Sequence, residues 1–413
     1  MLKNRNMIRP LAWMFAGVTL VALALMGWRA ALVHHGFNPS APAQTTPAIT
    51  KEYLDAARAI ETAIMSGDVE AAEKLIDTPA NVDIALQGLE LPAGYRDQVL
   101  ANIAPDSRAP RVMINTVKGG ATLHLLHVGL HDGRVHAIYR VLALQGGLNY
   151  LDWTLMQERD GHIRGTDVYN ASAGETASAG IRRVTMRALS EARTTTMPGL
   201  AAIDRVYLDH DKEIGAINEA LNKRDWIGFL EIYDRLPGAL RQEKMFFVNR
   251  LRALEYLNRI KTDEYRSAVE EYRRTFPGDP SLNINGLTSW ALANDFPSCY
   301  AALDALEKWC GGDPYLLALR ASLIQEENGP GANQEAERLA REAIVAEDHL
   351  VLAHTVVLLA LTREKRFGEA VQELQVIDSF GKNLLNVESS AELKGLAASE
   401  EYQQYKPLRR APH

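Results

Sequence analysis

A 34-residue interval constrains the carboxyl-terminal half of this chain more than any other feature of the sequence. The step Gly-Asp-Pro occurs at residues 278–280 and again at residues 312–314. Small residues also recur at this 34-residue interval, and the residue four positions after each of them is apolar or aromatic. The small residues are Ala268, Ala302, Ala336 and Ala370, and the later ones are Tyr272, Leu306, Ala340 and Leu374. Such a regular interval predicts a repeated structural unit.

The spacing also predicts the secondary structure of the unit, because positions four and seven residues apart share one face of a helix. Each of these helical segments leads through a turn into a second helical pattern, and Pro280 and Pro314 precede two of the units. A repeated helix–turn–helix of this length resembles the tetratricopeptide repeat (TPR) over residues 249–384, with a more divergent unit before it. The first helix departs from that family, which prefers glycine or alanine at its eighth position. This sequence has Tyr256, Trp290, Ile324 and Leu358 there.

The resemblance implies an all-α superhelix in which stacked hairpins share one continuous core. In this family the first helices of the units line a concave groove, which usually holds a peptide or a helix of a partner protein. The resemblance therefore implies a protein-binding groove in this chain. The residues that we expect to line it are Arg250, Asn294, Gln325, Asn328 and Thr355.

The middle of the chain combines two patterns. Residues 51–104 have helical periodicity, and beyond Arg111 the period changes to two, with short turns that contain glycine. Short turns between strands require antiparallel pairing, because parallel strands need long crossover connections. We therefore predict helices that cover one face of an antiparallel meander. The five predicted strands are RVMINTV, ATLHLLHVGL, RVHAIYRVLAL, LNYLDWTLMQE and HIRGTDVYN.

This order of elements over residues 51–170 resembles the NTF2-like cone. Some members of that family are isomerases or dehydratases that use Asp and His in the mouth of the cone. The corresponding pocket candidates here are His124, His127, His136, Asp152 and Asp167. Simple alternation places the histidines on both faces of their strands, and Asp152 opposite the apolar face. Because no nucleophile, base and orienting partner converge, we predict no enzymatic activity and no catalytic residues.

The amino-terminal residues predict a membrane segment. Residues 11–28 contain no charged side chain, and three basic residues precede them. A helix of this length spans about 27 Å, close to the apolar thickness of a bilayer. The basic flank predicts a cytoplasmic amino terminus, an anchor in the bacterial inner membrane and a periplasmic remainder joined by a tether at residues 38–50. Alternatively, Ala22-Leu23-Ala24 is a cleavage site and the mature protein is soluble in the periplasm.

Composition and residue spacing argue against nucleic-acid binding, a disulfide and a metal site. The formal net charge is -7, whereas nucleic-acid-binding proteins are usually basic. The two cysteines, Cys299 and Cys310, lie too far apart on one predicted helix to form a disulfide, so we expect buried thiols. No spacing of Cys, His, Asp or Glu predicts a metal site, and nothing indicates a cofactor.

These observations predict a multidomain protein that acts as a membrane-anchored periplasmic scaffold and binds a protein or peptide through TPR repeats. Two alternatives remain open: a small-ligand-binding protein or enzyme that uses the NTF2-like pocket, and a self-associating structural subunit of an envelope complex. The predicted domains are a signal anchor (1–37), a linker (38–50), an α+β NTF2-like domain (51–170), a linker with a connecting helix (171–208, the small-residue linker being residues 171–180), TPR-type repeats (209–400) and a tail (401–413).

Overall fold

The computed structural model of the protein describes residues 49–143, 147–191, 200–381 and 384–410. The chain packs into two compact units that are divided between Ala293 and Asn294. The first unit contains a helix-covered antiparallel sheet followed by further helices, and the described residues of the second unit form helices. The predicted combination of an α+β region and a helical carboxyl-terminal region is therefore confirmed.

Short helices precede the sheet. The carboxylates of Asp68 and Asp77 each accept a hydrogen bond from a backbone N–H three residues later, which caps the next helix in each case. Gly67 has a left-handed conformation and ends the first helix. The helices are α1 (Lys51–Ser66), α2 (Val69–Leu75), α3 (Thr78–Leu86), α4 (Tyr95–Asn102) and α5 (Ala109–Lys118), with a 3₁₀ turn at Pro105–Ser107.

The segment RVMINTV, predicted as the first strand, forms α5 instead. Pro110 lies in the first turn of this helix, where its missing N–H removes no hydrogen bond. Met113 and Ile114 are buried, and Val117 lies one turn further on the same side and packs against the same core. The apolar residues of this short run fit either period, and packing against α1 and α2 selects the helix.

Five antiparallel strands form the sheet, in the order in which they occur in the chain. A β-bulge interrupts the pairing of the first two strands between Leu125 and His127, and a second lies between Thr154 and Leu155. The last four predicted strands form the first four strands of the sheet, and the fifth strand, which has only two residues, was not predicted. The strands are β1 (Thr122–His131), β2 (Arg134–Leu142), β3 (Leu148–Gln157), β4 (Ile163–Asn170) and β5 (Glu175–Thr176).

The core of this region lies between one face of the sheet and helices α1, α2 and α5. Tyr139 and Trp153 are fully buried there, and the Tyr139 hydroxyl donates a hydrogen bond of 2.8 Å to the carbonyl of Ala57. Alternation places Leu151, Trp153 and Leu155 on this face, as the sequence predicts. Large side chains therefore fill the space between the helices and the sheet.

The first unit continues with helices that reach Ala293. Residues 171–180, predicted as a linker, contain β5 and the beginning of the next helix. The helices are α6 (Ala177–Glu191), α7 (Ala202–Asp209), α8 (Asp211–Lys223), α9 (Trp226–Tyr233), α10 (Gly238–Arg241), α11 (Lys244–Tyr256), α12 (Asp263–Thr275) and α13 (Pro280–Ala293). Helix α11 packs against α9, α12 and α13, so that neighbours in sequence are also neighbours in space.

In the second unit, too, helices that are neighbours in sequence pack against each other. Its helices are α14 (Phe296–Cys310), α15 (Pro314–Glu327), α16 (Ala332–Ala346), α17 (Val351–Arg363), α18 (Phe367–Phe380), α19 (Lys394–Ala397) and α20 (Glu400–Arg410). Helix α15 packs against α16 and α17, and α17 packs against α18. Cys299 and Cys310 are buried on α14 and form no disulfide, as predicted.

The residues that recur at the 34-residue interval occupy equivalent positions. Ala268, Ala302, Ala336 and Ala370 lie in α12, α14, α16 and α18, and each is at most 2% exposed. The residues four positions later are fully buried. The two Gly-Asp-Pro steps also share one structural role. Asp279 and Asp313 each accept a hydrogen bond from the backbone N–H two residues later, at the start of α13 and α15.

None of the helices in the described part of the chain has the length and apolar character needed to cross a bilayer. The predicted membrane segment, residues 11–28, lies outside the described residues.

Candidate functional site

The bulge in β1 changes which face of the sheet its histidines occupy. His124 pairs with Arg140 and His127 pairs with Ile138, so both lie on the face of β2 that also carries His136. Simple alternation, which predicted opposite faces for His124 and His127, is wrong here because the bulge adds one residue between them. His124 nevertheless does not join the other histidines, since its ring lies 3.0 Å from the Glu61 carboxylate of α1.

The structure brings His136 and Asp152 together. Asp152 pairs with Ile138 and lies opposite the apolar face of β3, as predicted. Its buried carboxylate contacts Nδ1 of His136 at 2.7 Å. The exposed ring of His131, which sequence reasoning missed, lies edge-on to His136 with 5.4 Å between the ring centres. The sequence feature that indicates this contact is the pair His131 and His136, which lie on either side of the tight turn at Asp132–Gly133.

Asp167, another predicted pocket residue, has a structural role. Its carboxylate accepts hydrogen bonds from the Asn81 amide at 2.7 Å and from the backbone and hydroxyl of Ser178. Burial raises the pKa of Asp167 although these hydrogen bonds oppose the shift. The side chain therefore joins β4 to α3 and α6 and does not meet His136 or Asp152 in a common pocket.

The turn between β4 and β5 packs against the helices of the repeat pattern. The carbonyl of Ser172 accepts hydrogen bonds of 3.1 Å from Arg252 of α11 and from Asn285 of α13. The Tyr169 hydroxyl contacts Asp279 at 2.8 Å and Ser281 at 2.6 Å. The sheet and the first helices of the repeat region are therefore one packed unit.

Asp279, from the first Gly-Asp-Pro step, lies at the centre of this contact. Burial would raise its pKa, but hydrogen bonds from Lys244 and Tyr272 outweigh that effect, and the pKa lies below its usual value. The Tyr272 hydroxyl donates its hydrogen bond over 2.8 Å, and Lys244 forms an ion pair with the same carboxylate. Asp279 therefore remains ionised and holds three elements together.

A small cavity of about 360 Å³ lies beside this contact, between β5, α6, α7 and α11. Arg183 forms two hydrogen bonds with the Glu175 carboxylate, at 2.6 and 2.9 Å. The Tyr207 hydroxyl lies 3.4 Å from Glu243, and burial raises the pKa of that carboxyl. Because these charges are paired within the chain, the cavity has the character of a structural seam.

The residues predicted to line a groove take part mainly in packing. Arg250 pairs with Glu271 at 3.1 Å, and buried Gln325 donates a hydrogen bond of 2.9 Å to the backbone of α17. The Thr355 hydroxyl bonds to the carbonyl four residues earlier. Asn294 and Asn328 have left-handed backbone conformations at φ 59° and 53°, directly after α13 and α15 respectively. Of these five, Asn328 is the one next to a described cleft.

That cleft, the α14–α16 cleft, has a volume of about 730 Å³ and lies between α14, α15, α16 and the loop at residues 329–331. Leu317, Ile324 and Leu339 provide its apolar surface, and acidic side chains outnumber basic ones around it. The charged lining residues are Asp304, Glu307, Arg320, Glu327, Glu335 and Arg338. The sequence signal for this cleft was the glycine- and proline-containing loop at residues 329–331.

Side chains hold the rim of the α14–α16 cleft in place. The Tyr300 hydroxyl donates a hydrogen bond of 2.7 Å to Glu327, and Arg320 lies over the Tyr300 ring at 5.5 Å and pairs with Asp304. These contacts connect α14 to α15 at the mouth of the cleft. An apolar surface inside an acidic rim fits an apolar segment that carries positive charge at its ends.

No protein-family model, curated protein or solved structure with which the chain was compared matches it. The resemblances to TPR and NTF2-like proteins therefore remain predictions.

Proposed function

We propose that this protein is a membrane-tethered periplasmic scaffold whose TPR-type helical hairpins bind a segment of another protein. The observation that carries the proposal is the recurrence of buried alanine at one position of successive helices, from Ala268 to Ala370. A small residue at this position lets paired helices approach closely, and stacked hairpins provide extended binding surfaces. The proposal includes an NTF2-like identity for the sheet region, supported by its helices-then-meander order.

The partner segment binds in the α14–α16 cleft in this proposal. The first helices α11 and α13 are already contacted by the β4–β5 turn through Arg252 and Asn285. Arg320 and Arg338 pair with Asp304 and Glu335 at the α14–α16 cleft, but acidic side chains still outnumber basic ones around its apolar surface. The cavity at Arg183 is smaller, and Arg183 there is paired with Glu175. We therefore expect a peptide with leucine or isoleucine at its centre and lysine or arginine at its ends.

The sheet region supports the scaffold in this proposal and does not provide a substrate pocket. Tyr139 and Trp153 fill the space between the sheet and its covering helices. Asp167, the other acidic pocket candidate, bonds to Asn81 and Ser178.

Peptide binding tests the assignment of the cleft. Fluorescence anisotropy of the purified full chain should show binding of labelled dodecamers with an apolar centre and Lys or Arg ends. Otherwise identical peptides with Glu at the ends should bind at least about tenfold more weakly, since each rim contact is worth roughly 0.5–1 kcal/mol and reverses its sign. Higher salt should weaken binding of the basic peptides.

Two charge-reversal variants provide the matched comparison. Glu307→Lys changes an exposed rim residue and should weaken the basic peptides by about tenfold. Glu401→Lys makes the same change on exposed α20, outside the cleft, and should leave binding unaltered. Equal effects of both variants, or no preference between basic and acidic peptides, would refute the assignment.

The tether confines the binding surface to a thin layer beside the membrane and so raises its effective concentration for partners there.

Deleting residues 11–28 should move the protein from the carbonate-resistant membrane fraction to the soluble fraction. In spheroplasts, added protease should digest the intact protein, because the proposed topology places residues after the anchor outside the cytoplasm. Protection from protease in intact spheroplasts would contradict the periplasmic assignment.

A further inference from the structure

The end of the β1–β2 hairpin brings together nitrogen and oxygen ligands from three successive strands. One ligand atom from each of His131, His136 and Asp152 lies within 4.8 Å of the others. The two rings are nearly perpendicular, at 78°, so that the edge of one faces the other. Asp152 is buried, His136 is half-buried and His131 is exposed, so the group is anchored at its base and open to solvent at its rim.

Two contacts fix the shape of this group. Asp152 Oδ1 and His136 Nδ1 are 2.7 Å apart, which sets the orientation of the His136 ring. Gly129 pairs with His136 across the hairpin, and the ring of His127 lies over it: a Cβ at Gly129 would stand 2.4 Å from His127 Nε2. The absence of a side chain at Gly129 leaves room for imidazole rings on this face of the sheet.

We propose that His131, His136 and Asp152 bind a divalent transition-metal ion of the zinc type. Imidazole and carboxylate together suit Zn²⁺, Ni²⁺, Co²⁺ and Cu²⁺, and suit Mg²⁺ and Ca²⁺ poorly because these ions prefer oxygen alone. The ion is coordinated by His136 Nδ1 and Asp152 Oδ1 in place of the hydrogen bond between them, with the ring proton of His136 carried on Nε2. Water completes the coordination.

The required movement is small. Tetrahedral bonds of about 2.0–2.2 Å place ligand atoms about 3.3 Å apart. The His136–Asp152 pair must therefore widen slightly from 2.7 Å, and His131 must move closer from within 4.8 Å. His131 is exposed at the last residue of β1, beside the turn, where its ring rotates without disturbing the core. The bound ion joins β1, β2 and β3 and stabilises the hairpin that carries His131.

Titration of the purified full chain with ZnCl₂ after treatment with a chelator tests the proposal. Isothermal calorimetry should show one ion bound at this site. His131→Ala and Asp152→Asn should each weaken binding by about tenfold or more. His162→Ala removes an exposed histidine from the β3–β4 turn of the same sheet and should leave the affinity unchanged.

His131→Ala decides the question, because this exposed side chain can be removed without opening the core. Its melting temperature in the absence of metal should equal that of the unaltered protein, and the increase caused by Zn²⁺ should disappear. The proposal is overturned if His131→Ala and Asp152→Asn bind Zn²⁺ as tightly as the unaltered protein. It is also overturned if His162→Ala loses the same affinity.

Discussion

The packing of the β4–β5 turn against α11 and α13 predicts an unusual sensitivity at Gly174. This residue has φ +72°, and a Cβ placed on it would lie 2.9 Å from Val248 Cγ2 and 3.3 Å from Lys244 Cγ. The Ser281 hydroxyl would also lie at 3.3 Å. Gly174→Ala therefore introduces backbone strain and a steric clash at the same position.

The two effects have separate magnitudes. An alanine in the left-handed region costs about 1–2 kcal/mol, and overpacking of a closed contact costs about 1–3 kcal/mol. We expect Gly174→Ala to lower the free energy of unfolding by about 2–5 kcal/mol. Gly161→Ala provides the control, because Gly161 has φ +82° and no atom within 4 Å of the added Cβ. That variant should lose only the about 1–2 kcal/mol that comes from backbone strain.

Urea unfolding of the two variants, followed by tryptophan fluorescence and circular dichroism, measures the difference. Hydrogen exchange localises it, and amides of β4, α11 and α13 should lose protection in Gly174→Ala alone. Equal destabilisation by the two substitutions would refute the close contact between the turn and the helices. Loss of protection confined to the turn itself would refute it as well.

Three further predictions concern single side chains. Tyr169→Phe removes the hydrogen bond to Asp279, and urea unfolding should show a loss of about 1–3 kcal/mol because a buried carboxylate loses a donor. Burial raises the pKa of Glu255 from 4.5 to about 7, so the folded state binds the proton more tightly and stability falls as pH rises through this window. Glu255→Gln should therefore gain up to about 3 kcal/mol relative to the unaltered protein between pH 5 and 8, and a difference independent of pH would contradict this. Ala302→Leu should cost about 1–3 kcal/mol, whereas Ala301→Leu at the exposed neighbouring position should change stability by less than about 0.5 kcal/mol.

The repeated helices were the most predictable part of the fold. Their pattern is local, because a buried alanine and an apolar residue one turn later mark the same face in every unit. The aspartates of the two Gly-Asp-Pro steps act on backbone N–H groups only two residues away. Such short-range features can be identified without knowing what else the helix contacts.

The errors arose where a short segment fits two structures. The run that contains Met113 and Ile114 has apolar residues at spacings that suit both a strand and a helix, and contact with α1 and α2 decided the outcome. The bulge after Leu125 has no sequence signature that separates it from regular alternation, yet it sets the face on which His127 lies. A one-residue shift changes the face of every later side chain in a strand.

The sequence alone determined most of the element types, the 34-residue repetition and the acidic, thiol-poor character of the chain, because these depend on composition and on neighbours within two helical turns. The tertiary structure decided which distant groups meet. It placed Ser172 against Arg252, joined His136 to Asp152 with His131 beside them, and formed the cleft at Tyr300 and Glu327. These contacts connect separate strands and helices, and their geometry depends on strand register and helix docking, which local periodicity does not specify.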